Sequence, residues 1–390
     1  MTDDRILVIG SGPAGSSLAL RMVQLGAEPE SIVVLDRRRL ADGRLSPAKV
    51  CGDGISPACL AMLGSLGIPG HRFDEFQPID GLRITSPGGV VLDVPNIPGP
   101  VGRIIPRDAL DGMMADQVRQ VGVCLLDGRE VNRIERANGE WIVSLADGED
   151  LRGALLVGAD GATSKVARLI NSPQESKRHP RSVMIAIRGY GERIELGGQL
   201  WMDFLSGMPG YAWAFPLTGG KANVGVGTTA AHLRRSAQKR GQSSNAVLKS
   251  MLERSCEQFI LAGAARAMEL QEVRAWPIPT GPKFRRCVDE GVVLVGDATG
   301  GAASPLTGGG IANSIVSATL AANVIAAARQ QGSFSSENLE PYQRMLRKEL
   351  SPKMRDQLYL ERILENEAVF NMVAKILSCR PELVPRIWGG

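Results

Sequence analysis

The sequence predicts an α/β protein: a Rossmann-like nucleotide-binding domain interleaved with a β-sheet-rich domain, plus C-terminal helices. Three observations carry that prediction. A Gly-x-Gly-x-x-Gly turn follows a short apolar run at 5–10. The middle of the chain, 182–229, alternates as strands do. A third apolar run, closed by Gly296-Asp297, stands far downstream. Nucleotide-type strands at both ends with β-rich segments between them predict two domains woven together. The expected boundaries are 1–75, 101–175 and 280–335 for the nucleotide domain, 76–100 and 176–279 for the sheet domain, and 336–390 for a helical segment.

Composition narrows the function classes. The 390 residues are 44% hydrophobic and 22% charged, too long for one compact core, so two domains are expected. Glycine contributes 46 residues of 390, about 12%, against a usual ~7%. No Gly-X-Y period is present, so glycine is used locally, where backbone bends or approaches a ligand. A net charge of +4 with 4% aromatic residues argues against a nucleic-acid partner. Cys51, Cys59, Cys124, Cys256, Cys287 and Cys379 form no CxxC pair, and no secretory leader is read. That fits a reduced, cytoplasmic protein. His71, His179 and His232 lie far from one another and from any cysteine at ligand spacing, so no metal site is expected.

The elements follow in order. Residues 13–26 are small and apolar and predict a helix; 32–36 (Ile-Val-Val-Leu-Asp) predict a second buried strand, completing a βαβ unit. Residues 78–94 alternate around the turn Pro87-Gly88-Gly89, and 107–121 have helical spacing. Residues 129–157 hold two or three strands with turns at Asn138-Gly139 and Asp147-Gly148. Within 182–229 a hairpin turn is expected at Thr218-Gly219-Gly220, and 245–261 read as a helix. Residues 300–328 carry no charge and are long enough to cross a membrane. Their Pro305, triple glycine, asparagines and alanine-rich character favour a buried helix starting near Gly309. Residues 339–378 predict amphipathic helices broken at Pro352.

The chemistry begins at Gly10-Ser-Gly12-Pro-Ala14-Gly15. The first glycine makes the turn, the second lets a pyrophosphate approach, and the third lets the helix pack on the strand. The helix N-terminus then faces the phosphates. Asp36, 21 residues after Gly15 at the end of the second strand, is spaced to accept a ribose hydroxyl, with Arg37 beside it. This fingerprint alone does not choose between NAD and FAD.

Two later segments do. Residues 158–168 read Gly-Ala-Asp160-Gly161-Ala-Thr-Ser164-Lys-Val-Ala-Arg168. Residues 296–311 read Gly296-Asp297-Ala-Thr-Gly-Gly-Ala-Ala-Ser-Pro305-Leu-Thr-Gly308-Gly309-Gly310-Ile311. DGxxSxxR followed by GD…P…G resembles the FAD-dependent hydroxylase superfamily typified by p-hydroxybenzoate hydroxylase. The resemblance implies a Rossmann-like FAD-binding domain of the GR2 type, with FAD on these residues and Asp297 holding a ribityl hydroxyl. Asp297 ends a buried strand, where ligands bind, and the glycine triplet can lie flat against the flavin with the helix N-terminus behind it. A helix N-cap role for Asp297 would leave the triplet unexplained. By the same resemblance Arg107 contacts FAD, with a surface ion pair as its alternative.

A narrower resemblance is to the geranylgeranyl reductase family. It rests on Lys49-Val-Cys51-Gly52 near the flavin, on Tyr211-Ala-Trp213-Ala-Phe215-Pro216 followed by Gly225-Val-Gly227, and on Pro305-Leu-Thr-Gly-Gly-Gly-Ile. That family often has Glu where this chain has Gly309. Tyr211, Trp213 and Phe215 alternate, so they share one strand face, either a packed core or the wall of an apolar pocket. The glycines and the flavin context favour the pocket. Cys51 is either a small buried hydrophobe or a thiol that tunes the flavin, donates a proton or attaches the flavin covalently. The implied activity is FAD-dependent reduction of C=C bonds in an isoprenoid or similarly apolar substrate, with Cys51, Tyr211 and Trp213 at the chemistry. Electrons come from transient NAD(P)H or a partner reductase, since no second fingerprint is present. The amphipathic region 339–378 is a candidate for peripheral membrane contact, against a helical cap with a solvated face. The same scaffold hosts monooxygenases and halogenases, acting on small aromatics or on tryptophan in a protein substrate, and a non-enzymatic FAD electron carrier or assembly factor is the third reading.

Overall fold

The computed structural model describes residues 4–380 apart from 97, 98, 100 and 177–179. His179 and parts of the expected boundary segments (97, 98, 100, 177–179 and 381–390) therefore lie outside the described residues.

The apolar runs form one six-stranded sheet. Its order is Cys124–Asp127, Ile32–Asp36, Ile6–Ile9, Leu155–Gly158, Val292–Leu294 and Val288–Asp289, parallel except for the last pair. Ile6–Ile9, Ile32–Asp36 and Leu155–Gly158 are buried throughout, as strands covered on both faces must be. The helices Pro13–Gln24 and Ile311–Gln330 pack on each other over this sheet. Ile311–Gln330 is long and apolar enough to cross a membrane, but half of it is buried inside the protein, as for a core helix.

The alternating segments form a seven-stranded sheet in the order Leu270–Pro279, Val183–Glu192, Lys221–Thr229, Gly210–Leu217, Gln199–Asp203, Gly81–Thr85, Val91–Val94. Only Gly81–Thr85 with Gln199–Asp203 is parallel. Residues 81–94 thus leave the nucleotide side, join the second sheet, and return for the helix Arg107–Gln120. A three-stranded antiparallel sheet, Val131–Ala137, Glu140–Leu145 and Asp150–Gly153, turns at Asn138-Gly139 and Asp147-Gly148.

Strand alternation divides the second sheet. Ala212, Ala214, Val224 and Val226 pack with Leu233, Val247 and Met251 of the helices Ala230–Arg240 and Ser244–Leu261. Tyr211, Trp213, Phe215 and Met202 face the other way, toward the nucleotide domain and the C-terminal helix Glu367–Cys379. One face is covered by its own helices, and the other is free to build a chamber.

The expected break at Pro352 does not occur. Helix Ser336–Leu364 runs through Pro341 and Pro352 and ends at Glu365, where Asn366 caps the next helix. An interior proline costs about 3 kcal/mol. Here Leu339, Tyr342, Leu346, Leu350 and Met354 recur at helical spacing, all buried in the nucleotide-domain core, and hold the helix through it.

Candidate active site

Geometry at the first loop is set by three glycines. Gly10 has φ +105, and a Cβ there would lie 2.5 Å from the Ala159 carbonyl oxygen. A Cβ on Gly15 would lie 1.8 Å from the Gly10 carbonyl oxygen. These two allow strand and helix to meet. At Gly12 only the Arg38 guanidinium comes within 3.9 Å, so this glycine leaves open space for a ligand. A cleft of about 780 Å³ begins here, bounded by Gly12, Ala14, Asp36, Arg37, Asp160, Gly161 and Asp297. Clefts of about 300–1,000 Å³ hold cofactor-sized ligands. Glycine-freed space at a helix N-terminus, cationic walls and the buried, unpartnered Asp160 Oδ1 fit a dinucleotide such as FAD.

Asp36 does reach this cleft, though its carboxylate is already engaged. Oδ2 accepts from the Ser11 N–H, the Ser11 hydroxyl and Arg38 Nη2, each at 2.9 Å; Oδ1 accepts from the Arg38 N–H at 2.8 Å and Nε at 3.1 Å. Burial raises this carboxyl, but Arg38 and Ser11 outweigh it and hold it below the usual range. Arg38 also bonds Asp111 at 2.6 Å. Arg37 and Arg38 both line this end of the cleft; Arg38, which the sequence analysis did not single out, is tied to Asp36 and Asp111.

Arg107 is no surface ion pair. It is 4% exposed and forks onto both oxygens of Asp111, at 2.9 Å each. Asp297 is no helix cap: its side chain meets Lys49 Nζ at 3.2 Å, across 248 residues of sequence. Asp160 accepts from the N–H groups of Lys165 and Val166. Gly296 (φ +60) and Gly15 work from behind the cleft: a Cβ on Gly296 would reach 2.7 Å from that of Ala14. Pro305 is buried and absent from both walls. Gly308, Gly309 and Gly310 stand ahead of helix Ile311–Gln330, with Gly310 at the N-cap and no side chain capping it, so the first amides are available to a ligand.

A second chamber, about 180 Å³, adjoins the cleft and shares its walls Pro13, Lys49, Val50, Arg107, Trp276 and Asp297. Its far side is Tyr211, Trp213, Phe215, Gly227, Cys51 and Gly52. The aromatic strand is both core and wall. Tyr211 donates to the Thr307 carbonyl at 2.5 Å, Trp213 Nε1 to Asn223 Oδ1 at 2.9 Å, and the rings follow one another in tilted contact with centroids 5.9 and 6.3 Å apart. Gly225 makes room for the indole: a Cβ there would lie 2.3 Å from Trp213 Cζ2. A Cβ on Gly52 would press on Phe215 at 3.3 Å. Phe204, its centroid 5.5 Å from that of Tyr211, and Phe370, 4.8 Å from Phe204, extend the aromatic row to helix Glu367–Cys379.

Burial pushes the Cys51 thiol up, with Arg107 opposing and Asp53 adding to it. A protonated thiol suits proton handling better than thiolate attack on a cofactor. Two residues of this site escaped the sequence reading. Asp53 lies in the same loop with no exposed surface, and Asn223, two residues before Gly225, is also fully buried. Burial pushes Asp53 up to about 6, against hydrogen bonds from Asn223 and Tyr190 and the charges of Arg188 and Arg107. The available signal was an acid inside a glycine-rich loop; nothing local announced its partner on a strand 170 residues later.

Residues 3–356 match the family model described as FAD binding domain. The chain is 27% identical over 372 residues to digeranylgeranylglycerophospholipid reductase 1 of Methanothermobacter thermautotrophicus, covering 93% of this chain and 87% of that one. It is 28% identical over 332 residues to menaquinone reductase of Mycobacterium tuberculosis, covering 82% and 76%. Among solved structures, a geranylgeranyl bacteriochlorophyll reductase-like protein of Thermoplasma acidophilum shares the fold at a TM-score of 0.80, with 23% identity and 96% and 91% coverage. By that match over 3–356, this chain belongs to the FAD-binding-domain family and is an FAD-dependent oxidoreductase.

Proposed function

We propose that this oxidoreductase saturates C=C bonds of an isoprenoid chain. The observation that carries the reading is the aromatic-walled chamber opening onto the FAD cleft through shared walls. Its 180 Å³ is below the size that encloses a whole drug-like ligand, so it takes one section of a long chain. Relatives named for digeranylgeranyl lipids agree with that substrate class.

The glycine loop and Arg38 would hold the nucleotide half of FAD, and Lys49, Asp297 and the Gly308–Gly310 amides its flavin half. Bound and reduced, FAD supplies a hydride. The chain's own residues do the rest. Tyr211 and Trp213, each tied down by its polar atom, orient the apolar chain and exclude water; they position rather than react. Burial keeps the Tyr211 phenol protonated, and its proton is committed to Thr307. Electrons arrive from NAD(P)H or a partner reductase.

A bilayer is the natural source of such a substrate. Helix Glu367–Cys379 buries Phe370 and Ala374 against the aromatic cluster and leaves Met372 and Ile376 each 55% exposed; Tyr359 and Ile363 are exposed nearby in sequence. The helix packed against the chamber's aromatic cluster thus presents apolar side chains outward.

Anaerobic reduction of the purified protein, then addition of geranylgeranyl diphosphate, tests the reading. Product two mass units heavier per saturated bond, with reoxidation of the flavin, is expected. A C4a-hydroperoxide absorbance on admitting oxygen, without saturated product, would refute it in favour of an oxygenase.

A further inference from the structure

We propose that Asp53 is the proton store of the chamber: the proton that joins the substrate carbon is held at its Oδ1. The inference rests on the reductase reading above. Asp53 has φ +66, a left-handed conformation that non-glycine residues seldom adopt. Its main chain is fixed there by the Ile105 N–H, which donates to its carbonyl at 2.8 Å. The side chain is held from the other domain. Tyr190 Oη donates to Oδ2 at 2.8 Å, and Asn223 Nδ2 donates to the same oxygen at 2.7 Å. Asn223 also donates to the Cys51 carbonyl at 2.8 Å and accepts from the Trp213 indole. One oxygen therefore takes two donors from two strands of the sheet domain. The other, Oδ1, is buried with no partner, on a residue that lines the chamber.

That asymmetry is what a proton store requires. Oδ2 is committed as an acceptor in either protonation state, and Oδ1 is where a proton can sit. The facing charges are few. Arg188 is fully buried, donates to the Glu272 carbonyl and stacks 4.2 Å from the Tyr190 ring. Arg107 is committed to Asp111, and the Cys51 and Tyr190 protons are held tightly. Asp108 adds its charge at Tyr190. Among the described residues no cation comes within ion-pair distance of Asp53. With burial raising it to about 6, both of its forms are populated near neutral pH, as general acid catalysis needs.

The step balances simply. The double bond gains a hydride from the reduced flavin at one carbon and a proton at the other. The Asp53 O–H bond breaks as the second C–H bond forms. The carboxylate left behind faces donors already in place on Tyr190 and Asn223, and it regains a proton from water before the next turnover.

Two measurements on the FAD-loaded protein test this. Infrared spectra across pH should show a protonated-carboxyl band that is lost near pH 6, is absent in Asp53→Asn and persists to higher pH in Tyr190→Phe. No such band, or one unchanged in Asp53→Asn, overturns the proposal. In single turnovers of the anaerobically reduced enzyme with geranylgeranyl diphosphate, the wild-type rate should fall about tenfold per pH unit above 6. Asp53→Asn should be slower by about a hundredfold or more, within the range of general acid effects, and flat with pH. An Asp53→Asn rate that keeps the wild-type pH profile assigns Asp53 a structural role and overturns the store. A wild-type enzyme that shows the band yet saturates no prenyl bond overturns the reductase reading and the delivery step with it. Saturation without the band overturns the store alone.

Discussion

Gly225→Ala is a one-methyl perturbation with a calculable consequence. The added Cβ would sit 2.3 Å from Trp213 Cζ2, 2.7 Å from Cε2 and 2.6 Å from the Ile187 carbonyl oxygen. That carbonyl belongs to the neighbouring strand, paired as Arg188↔Gly225, and cannot withdraw without breaking the ladder. The indole must move instead. Its Nε1 donates to Asn223, whose side chain is fully buried. Overpacking costs about 1–3 kcal/mol, and an orphaned buried acceptor about 1–3 kcal/mol more, so a total of roughly 2–6 kcal/mol is expected. Denaturant unfolding of Gly225→Ala, Trp213→Phe and the double variant checks it. The smaller ring relieves the clash, so the double variant should be more stable than the sum of the single effects by at least about 1 kcal/mol. Additive effects, or a cost for Gly225→Ala below about 0.5 kcal/mol, within the range of ordinary surface substitutions, would refute the claim that this glycine exists to seat the indole.

Asp53 makes a prediction about stability. A carboxyl raised in the folded state from its ordinary 3.8 to about 6 contributes stability that is full at low pH and is lost as pH rises through that window. At about 1.36 kcal/mol per pH unit the whole effect is roughly 3 kcal/mol, of which about 1–1.5 kcal/mol falls between pH 5 and 8. The stability of wild type relative to Asp53→Asn should drop by that amount over this range, and a constant difference in denaturant titrations would contradict it. Asp297→Ala removes an acceptor from the cleft and strands Lys49, so FAD should bind more weakly by about 1.5–3 kcal/mol, read by absorbance titration. Met372→Glu with Ile376→Glu should abolish flotation with liposomes while FAD content and the rate with a detergent-dispersed prenyl substrate stay unchanged.

What the sequence disclosed was whatever depends on neighbours in the chain. The strands Ile6–Ile9 and Ile32–Asp36, the glycine turn between them and the helix after the triple glycine are local patterns, and they appear where the patterns place them. So does the shared face of Tyr211, Trp213 and Phe215, because strand alternation fixes it. The helix through Pro352 was hidden because burial of residues far from the proline decides whether the backbone tolerates it. The partners were hidden too. Asp36 was readable as an acid at a strand end, but not its capture by Arg38. Cys51 and Gly52 were readable as a motif, yet the neighbouring Asp53 takes its character from Tyr190 and Asn223, 137 and 170 residues away.

Those distances explain why the chain is interleaved. The loop 49–54 belongs to the nucleotide side, and its acid is gripped by two strands of the sheet domain. The loop before Ile311 is gripped in turn by Tyr211 through Thr307. The sheet domain therefore supplies the atoms that hold two reactive loops of the nucleotide domain, and the chamber lies at the seam between them. Two domains joined end to end could rock apart and let water onto Asp53, returning its carboxyl toward the ordinary range. Because the chain crosses the seam at 81–94 and again at 183–279, such opening is opposed by covalent connection and strand pairing as well as by contact. A buried acid near neutral pH needs a dry seam, and threading the chain through it repeatedly is what keeps it dry.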